Sequence, residues 1–490
     1  MSQVLRSGRL RRTKKSVVRF ISSLEDDRWI FGETIRVNMA HVLALQKAGA
    51  IGKDEAEKLL KALRGIAHEK VSFEKDEDKE DIHVVIEDRV GRKVGLETAG
   101  KLHTGKSRND QVSAAIRMHL RQLLLHLSNE LLELEAGIVS LAEKHTRSLF
   151  VGYTHLQPAQ PVSFAHYLIS VHDSFHRDSE RMLETYDRVN RSPMGAGAIA
   201  GSSWKLDRKY TAQLLGFDRL VENSMDAVSG RDFLLEALSV LGLLASDISR
   251  FCQDLIYYSS QDVRLLEIPD SYASTSSIMP QKKNPDLLEV ARARSAIVTS
   301  NAAAGFTLMH GLPTGYNLDF QELTPLVWRS LGTMEESIGI LTGLVPHLKL
   351  SKKEQSVRDG LEFTTATEVA NVLTRVLRKP YREAYKVVGR AVSLALDEKK
   401  TLKELDRKEW AKLLGTMPSN KFFASLDRAS NLKEQLSLYR TIGSPNPIET
   451  QKTLARRRGQ HIELTKNVKR RELEIGESRR LLDLQASALR

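Results

Sequence analysis

The stretch "TSSIMPQKKNPD", residues 275–286, sets three hydroxyls ahead of two lysines and an Asn-Pro turn. Pro280 and Pro285 each remove a backbone donor and disfavour helix at the residue before them, so the segment is a loop between two helical regions. Three other polar islands interrupt the helical pattern. One is "DIHVVIED" at 81–88, running on to "GKLHTGKSRNDQ" at 100–111. The others are "GYTHLQPAQP" at 152–161 and "NSMDAVSGRDF" at 223–233, and the 275–286 loop is itself followed by "PTGYNLDFQE" at 313–322. Together the islands hold Arg, Lys, Ser, Thr, Asn and His, the donors that a carboxylate requires. Each lies near the end of a long helix, where free N–H groups suit an anion. No Cys/His cluster has zinc-finger spacing, and neither GxxxxGK[ST] nor GxGxxG occurs between a strand and a helix. Nothing here calls for a metal or a nucleotide cofactor. Taken singly, each island also has a plain structural reading. His155 serves as a core histidine, Arg108 and Asn109 as helix caps, and Glu289 as a surface helix residue.

The elements that must position these groups are long helices. Residues 111–145 carry apolar residues at 3–4 spacing with no Pro, which predicts a continuous helix about 50 Å long at 1.5 Å per residue. Residues 231–259 are apolar nearly all round, as in the central helix of a bundle, and 286–310 and 325–345 continue the theme. Alternating Val/Ile runs are scarce, so little sheet is expected. Four segments are expected: an N-terminal α domain (1–107), a central helical bundle (108–350), a second set of short helices (351–450), and a basic helical tail (451–490). "GSPNP" at 443–447 is a breaker cluster closing the globular part.

The chain has 490 residues and a net charge of +12. Residues 1–20 contribute +7 and residues 451–490 contribute +6, leaving −1 for the body between them. The charge therefore sits on the ends, which read as solvated tails rather than as a nucleic-acid surface. Residues 448–490 offer few apolar side chains, and deleting 451–490 is expected to leave assembly and activity nearly unchanged. The single cysteine, Cys252, excludes an internal disulfide and fits a reducing compartment. The longest apolar run, 233–248, is broken by Glu236 and Asp247 and is too short for a bilayer. A soluble, cytoplasmic protein is expected.

The pattern SS-x-MP-x-K-x-N-x4-E, met by Ser276, Ser277, Met279, Pro280, Lys282, Asn284 and Glu289, resembles the signature loop of the fumarase/aspartase superfamily. Within it, "MPQKKNPD", "HTGKSRNDQ", "GYTHLQPAQP" and "MDAVSGRDF" together resemble the argininosuccinate lyase family, from about residue 20 to about 450. Thr275 stands where the family usually has Gly, and Thr324 where it usually has Lys. "SGRL" at 7–10 matches the family's "GGRF" loosely. The resemblance implies a mostly α, three-domain fold whose long central bundle forms the core of a homotetramer, with each active site assembled from three chains and no cofactor.

The resemblance also implies a reaction, the reversible elimination of argininosuccinate to arginine and fumarate, the last step of arginine biosynthesis. It implies Ser276 as the base on a mobile loop, with Lys282 and Asn284 stabilising the carbanion. His155 would be the acid or relay, oriented by Glu289, with Thr154 beside it. Ser107, Arg108, Asn109, Tyr316, Gln321 and Arg231 would hold substrate, and Asp81 and His83 would meet its guanidino end. The competing readings are another lyase of the superfamily acting on adenylosuccinate or fumarate-type substrates, an inactive crystallin-like structural protein, and a nucleic-acid binder acting through its tails.

Overall fold

The computed structural model describes residues 14–69, 79–351 and 361–489. The "SGRL" match and most of the charged patch at 74–81 lie outside the described residues. Helices dominate, joined by four two-stranded sheets. The helices that carry the argument are α1 (Phe31–Lys47), α2 (Ile82–Val94) and α3 (Arg108–Lys144), which precede a hairpin of β1 (Leu149–Thr154) and β2 (Gln157–Ser163). After it come α4 (Phe164–Val189) and α5 (Asp232–Ser259), then the short strands β3 (Ser274–Thr275) and β4 (Lys283–Asn284). The chain continues through α6 (Asp286–Met309), α7 (Phe320–Leu344), α8 (Ala366–Leu377) and α9 (Tyr381–Asp397) to α10 (Pro447–Ala488).

Helices α3 to α7 form the bundle: α3 lies along α4, and α5 packs against α4, α6 and α7. The predicted 111–145 helix is present and begins three residues earlier. Its start is fixed by a capping box: the Ser107 hydroxyl accepts from the Asn109 N–H at 3.3 Å, and the Asp110 carboxylate accepts from the Ser107 N–H at 3.0 Å. The cap is thus Ser107, not Arg108 or Asn109, and the latter two side chains project from the first turn. The other oxygen of Asp110 accepts from the Gly195 and Gly197 N–H groups, which ties the loop before α5 to the start of α3. Helix α7 starts at Phe320, earlier than expected, and contains Pro325.

One apolar cluster runs from Leu24 through the bundle to Leu348 and takes in Leu454, Leu482 and Ala486 of α10. A second cluster, built around Trp410 and Phe422, packs α8 and α9 with the short helices that follow. The C-terminal segment therefore departs from the expected solvated tail. It is one 42-residue helix lying along α3, with contacts to α1 and α4. Leu454, Val468, Ile475 and Leu482 are buried, falling on a seven-residue spacing with His461 between the first two. A seven-residue seam runs down one side of a helix like that of a coiled coil, and a stripe so thin is outweighed in composition by charge. The charges are used as well. Arg457 grips Asp173 in two hydrogen bonds of 2.6 and 2.7 Å, Arg471 pairs with Asp187, and Arg458 pairs with Glu143.

Burial raises the affinity of one bundle carboxyl for its proton. Asp178 on α4 is fully buried, and its carboxyl is pushed up to about 7 by that burial, with Asp247 adding to the effect and Arg181 opposing it. An unfolded Asp titrates near 4. Between those values the folded chain holds the extra proton, so this group makes the protein less stable as pH rises from about 4 to 7. Asp178→Asn is expected to raise the melting temperature relative to wild type, by less at pH 5 than at pH 8, because the loss begins near pH 4 and is complete only above about pH 7. A difference that stays flat with pH would refute the assignment.

Candidate active site

The predicted residues gather in two places. The first is a cavity of about 160 Å³ at the N-terminal ends of α2, α3, α5 and α7. Asp81, His83, Arg108, Asn109, Arg231, Tyr316 and Gln321 all line it, with Ser107 capping the helix alongside. Asp81 caps α2, accepting from the Val84 N–H at 2.8 Å, and its other oxygen takes the Arg108 guanidinium at 2.6 Å. Asn109 donates to the Ala198 carbonyl at 3.2 Å.

Arg231 is fully buried at the mouth of α5, with its guanidinium over the Phe320 ring at 4.5 Å. One nitrogen donates to the Val228 and Gly230 carbonyls, while Nε and Nη2 have no partner among the described residues. Both ring nitrogens of buried His83 are likewise unpaired there. Burial holds His83 down at about 4, so its ring is neutral near pH 7, and it lowers Arg231 to about 10, leaving a full positive charge. Unpaired buried donors are costly unless something fills the site, which leaves these groups available to a ligand.

Several residues of this cavity were not picked out from the sequence. The Ser23 hydroxyl donates to Asp27 at 2.8 Å and accepts from Gln321 at 3.1 Å. Asp27 is raised to about 7, chiefly by burial and then by neighbouring Asp81. Asp26 and Glu80 also line it, as does Thr324, which the sequence marks only as a departure from the family. "SSLEDDR" at 22–28 has the composition of an ordinary helix start, and only the tertiary structure brings it against α7. The Thr324 hydroxyl, where the family's usual residue is Lys, donates to the Phe320 carbonyl at 3.3 Å.

The second gathering lies at the other end of α5. Strands β3 and β4 pair across Ser274–Asn284 and Thr275–Lys283, closing the base of the 276–282 loop. The Ser276 hydroxyl oxygen faces the backbone N–H groups of Ile278 at 3.4 Å and Met279 at 3.2 Å. Ser277 and Ile278 at the crest are exposed. Lys282, Asn284 and Glu289 line a cleft of about 560 Å³ with Ser259, Ser260 and Arg264. Lys283 is engaged with Asp270, whereas Lys282 has no ionic partner among the described residues.

Thr154 and His155 stand at the tip of the β1–β2 hairpin, exposed. His155 and Leu156 form its two-residue turn with φ of 55° and 57°. Positive φ at both turn residues is the geometry of a tight hairpin, and it is uncommon in residues other than Gly, Asn and Asp. The tip is held to α5 by the Tyr257 hydroxyl, which donates to the Leu156 carbonyl at 3.0 Å. Among the described residues of one chain, no hydrogen bond or ion pair joins His155 to Glu289.

Arg231 precedes α5 and the 275–286 loop follows it. The 28 residues of that helix span about 42 Å. One chain therefore presents a charge-lined cavity at one end of the bundle and a serine–lysine loop with a histidine hairpin of positive φ at the other. A larger cavity of about 910 Å³, beside Arg117 and Arg219, is lined by none of the predicted site residues, although Asn223, Asp226, Asp232 and Phe233 of the 223–233 island border it.

A long bundle with polar groups at both ends and a serine–lysine loop is the architecture of the fumarase/aspartase superfamily, and the comparisons agree. A family model described as "Lyase" matches residues 11–299, and one described as "Argininosuccinate lyase C-terminal" matches residues 363–433. Among solved structures, EDDS lyase in complex with formate superposes with a TM-score of 0.87 at 25% identity, covering 94% of this chain and 92% of that one. The class II fumarase of Schistosoma mansoni shares the fold at a TM-score of 0.69 and 16% identity, covering 82% of this chain and 90% of that one.

The sequence relatives are more specific. The argininosuccinate lyase of Methanocaldococcus jannaschii is 39% identical over 92% of this chain and 93% of its own length. That of Methanosarcina acetivorans is 40% identical over 100% of this chain and 98% of its own, so the match includes α10. The chain belongs to the argininosuccinate lyase family.

Proposed function

We propose that the chain catalyses the reversible elimination of argininosuccinate to L-arginine and fumarate, in active sites assembled between subunits of a homotetramer. The observation that carries the assembly is the separation just described: the ligand-holding cavity and the loop with the base lie at opposite ends of a 28-residue helix, so one chain cannot close on one substrate. Antiparallel packing of bundles would bring the cavity of one subunit to the loop of another. Helix α6 supports this, since Val290, Ile297 and Phe306 are 48%, 58% and 54% exposed along its length, and Leu243 of α5 is 48% exposed. Such an apolar face on a monomer marks a subunit interface.

In the cavity, Arg231 and Asn109 meet substrate carboxylates, while Glu80, Asp81 and His83 face the guanidino end. Tyr316, Gln321, Arg108 and Ser107 fix the substrate's position. At the loop, the Ser276 oxygen takes the proton from the carbon next to a succinyl carboxylate. The electron pair left behind spreads into that carboxylate as extra negative charge, which Lys282 and Asn284 offset. The C–N bond then breaks, the carbon–carbon double bond of fumarate forms, and His155, with Thr154 beside it, returns a proton to the departing nitrogen. Serine is a weak base in water. Two backbone N–H groups aimed at its oxygen favour the deprotonated form, and Lys282 adds positive charge nearby. Glu289 orients His155 from another subunit. No metal or nucleotide takes part in this scheme.

No described helix is long and apolar enough to cross a membrane. The buried, lone Cys252 suits a reducing cytoplasm. Purified protein supplied with argininosuccinate is expected to release arginine and fumarate in equal amounts. Turnover of adenylosuccinate or malate in its place, or of none of these substrates, would overturn the proposal.

A further inference from the structure

Away from the candidate active site, Glu135 of α3 and His172 and His176 of α4 meet inside the bundle, and none of them has a part in the elimination. All three are buried, and one ligand atom from each lies within 4.8 Å of the others. The two histidines are one helical turn apart, which stacks their rings at 5.5 Å on one face of α4. Oε2 of Glu135 is 3.0 Å from Nδ1 of His176 and 3.6 Å from Nε2 of His172. Zinc bonded to nitrogen and oxygen at about 2.0–2.1 Å in a tetrahedron sets its ligands about 3.3–3.4 Å apart. The two separations from Glu135 bracket that value.

Neighbouring hydrogen bonds fix which atoms face the cluster. Nδ1 of His172 lies 3.0 Å from Asp173, which makes it the N–H and leaves Nε2 with its lone pair facing the cluster. That Nε2 is buried and has no hydrogen-bond partner among the described residues. Asp173 is in turn clamped by Arg457 of α10. The Ser179 hydroxyl donates to Oε1 of Glu135 at 2.6 Å, which fixes the carboxylate and leaves Oε2 to the cluster. Nδ1 of His461 on α10 is also buried without a partner. Burial lowers that imidazole, and Glu135, His172 and His176 are close enough to act on it electrostatically.

We propose that Glu135, His172 and His176 form a binding site for a divalent transition metal of the zinc type, with His461 at the open side, which pins α10 to the bundle. The two-imidazole, one-carboxylate set suits zinc over magnesium or calcium, which prefer oxygen alone. Binding displaces the proton that His176 Nδ1 shares with Glu135 and releases it to solvent. Nε2 of His176 keeps its hydrogen, facing Glu180 at 3.9 Å.

The test is zinc titration of chelator-treated full-length protein, in competition with a chromogenic chelator, together with thermal melting. The expected result is one zinc per chain and a higher melting temperature with zinc present. His172→Gln and His176→Gln should each weaken binding at least about tenfold and abolish the rise. His461→Ala, which sits nearer the surface, serves if either of those variants loses its helical circular dichroism, and it too should weaken binding. No stoichiometric zinc on the wild-type protein, or binding that all three variants leave unchanged, would overturn the proposal and leave Glu135–His176 as an ordinary buried ion pair.

Discussion

Ser276→Ala is expected to lower turnover by about 10²–10⁴-fold, equivalent to about 3–5 kcal/mol of barrier, because it removes the proposed general base. Argininosuccinate affinity should change little, since the groups that hold the substrate are charged and lie in a separate cavity. Ser277→Ala is the matched control. Ser277 is exposed at the crest of the loop, whereas the Ser276 oxygen is directed at the N–H groups of Ile278 and Met279. A serine whose oxygen receives two backbone donors is prepared to carry negative charge. Equal losses in the two variants, or a Ser276→Ala enzyme that keeps more than about a tenth of wild-type turnover, would remove Ser276 from the chemistry.

The second large effect concerns α10. Ending the chain at residue 446 is expected to abolish cooperative folding rather than leave a trimmed active enzyme. Leu454, Val468, Ile475 and Leu482 are buried against the bundle, and each contributes about 1.5–3 kcal/mol. Their loss rivals the roughly 5–15 kcal/mol by which a whole domain is stable. It also exposes Leu125 and Leu132 of α3, which pack against Val468 and Ile475. The arginine pairs with Asp173, Asp187 and Glu143 are lost as well, a smaller effect where the partners are exposed. A truncated chain that melts cooperatively near the wild-type temperature would show that the helix only rests on the surface.

This second expectation reverses the sequence reading, and the reason is physical. A helix whose fully buried large apolar residues recur only at every seventh position buries one narrow seam, and its composition resembles that of a solvated helix. The acids that neutralise its arginines, Asp173, Asp187 and Glu143, lie about 300 residues away in sequence. By contrast, α3, α5 and α6 were legible because their apolar stripes are wide and uninterrupted. The polar islands were legible because dense donors stand out against such helices. The sequence did not reveal which islands meet. It also did not show that Ser23 and Asp27 join Gln321 in one cavity, or that His155 rides a hairpin turn with positive φ. Those depend on contacts between distant segments, which no local pattern encodes.

The central claim is that the cavity around Arg231 and the loop around Ser276 act on one substrate although they lie about 42 Å apart in one chain. The most direct test mixes two variants that should each be inactive, Arg231→Gln and Ser276→Ala, by co-expression or joint refolding, and then measures argininosuccinate cleavage. If each site draws its cavity and its loop from different subunits, random assembly gives about one site in four with both parts intact, and activity should return to roughly that fraction of wild type. Activity no higher than that of either variant alone would contradict the account.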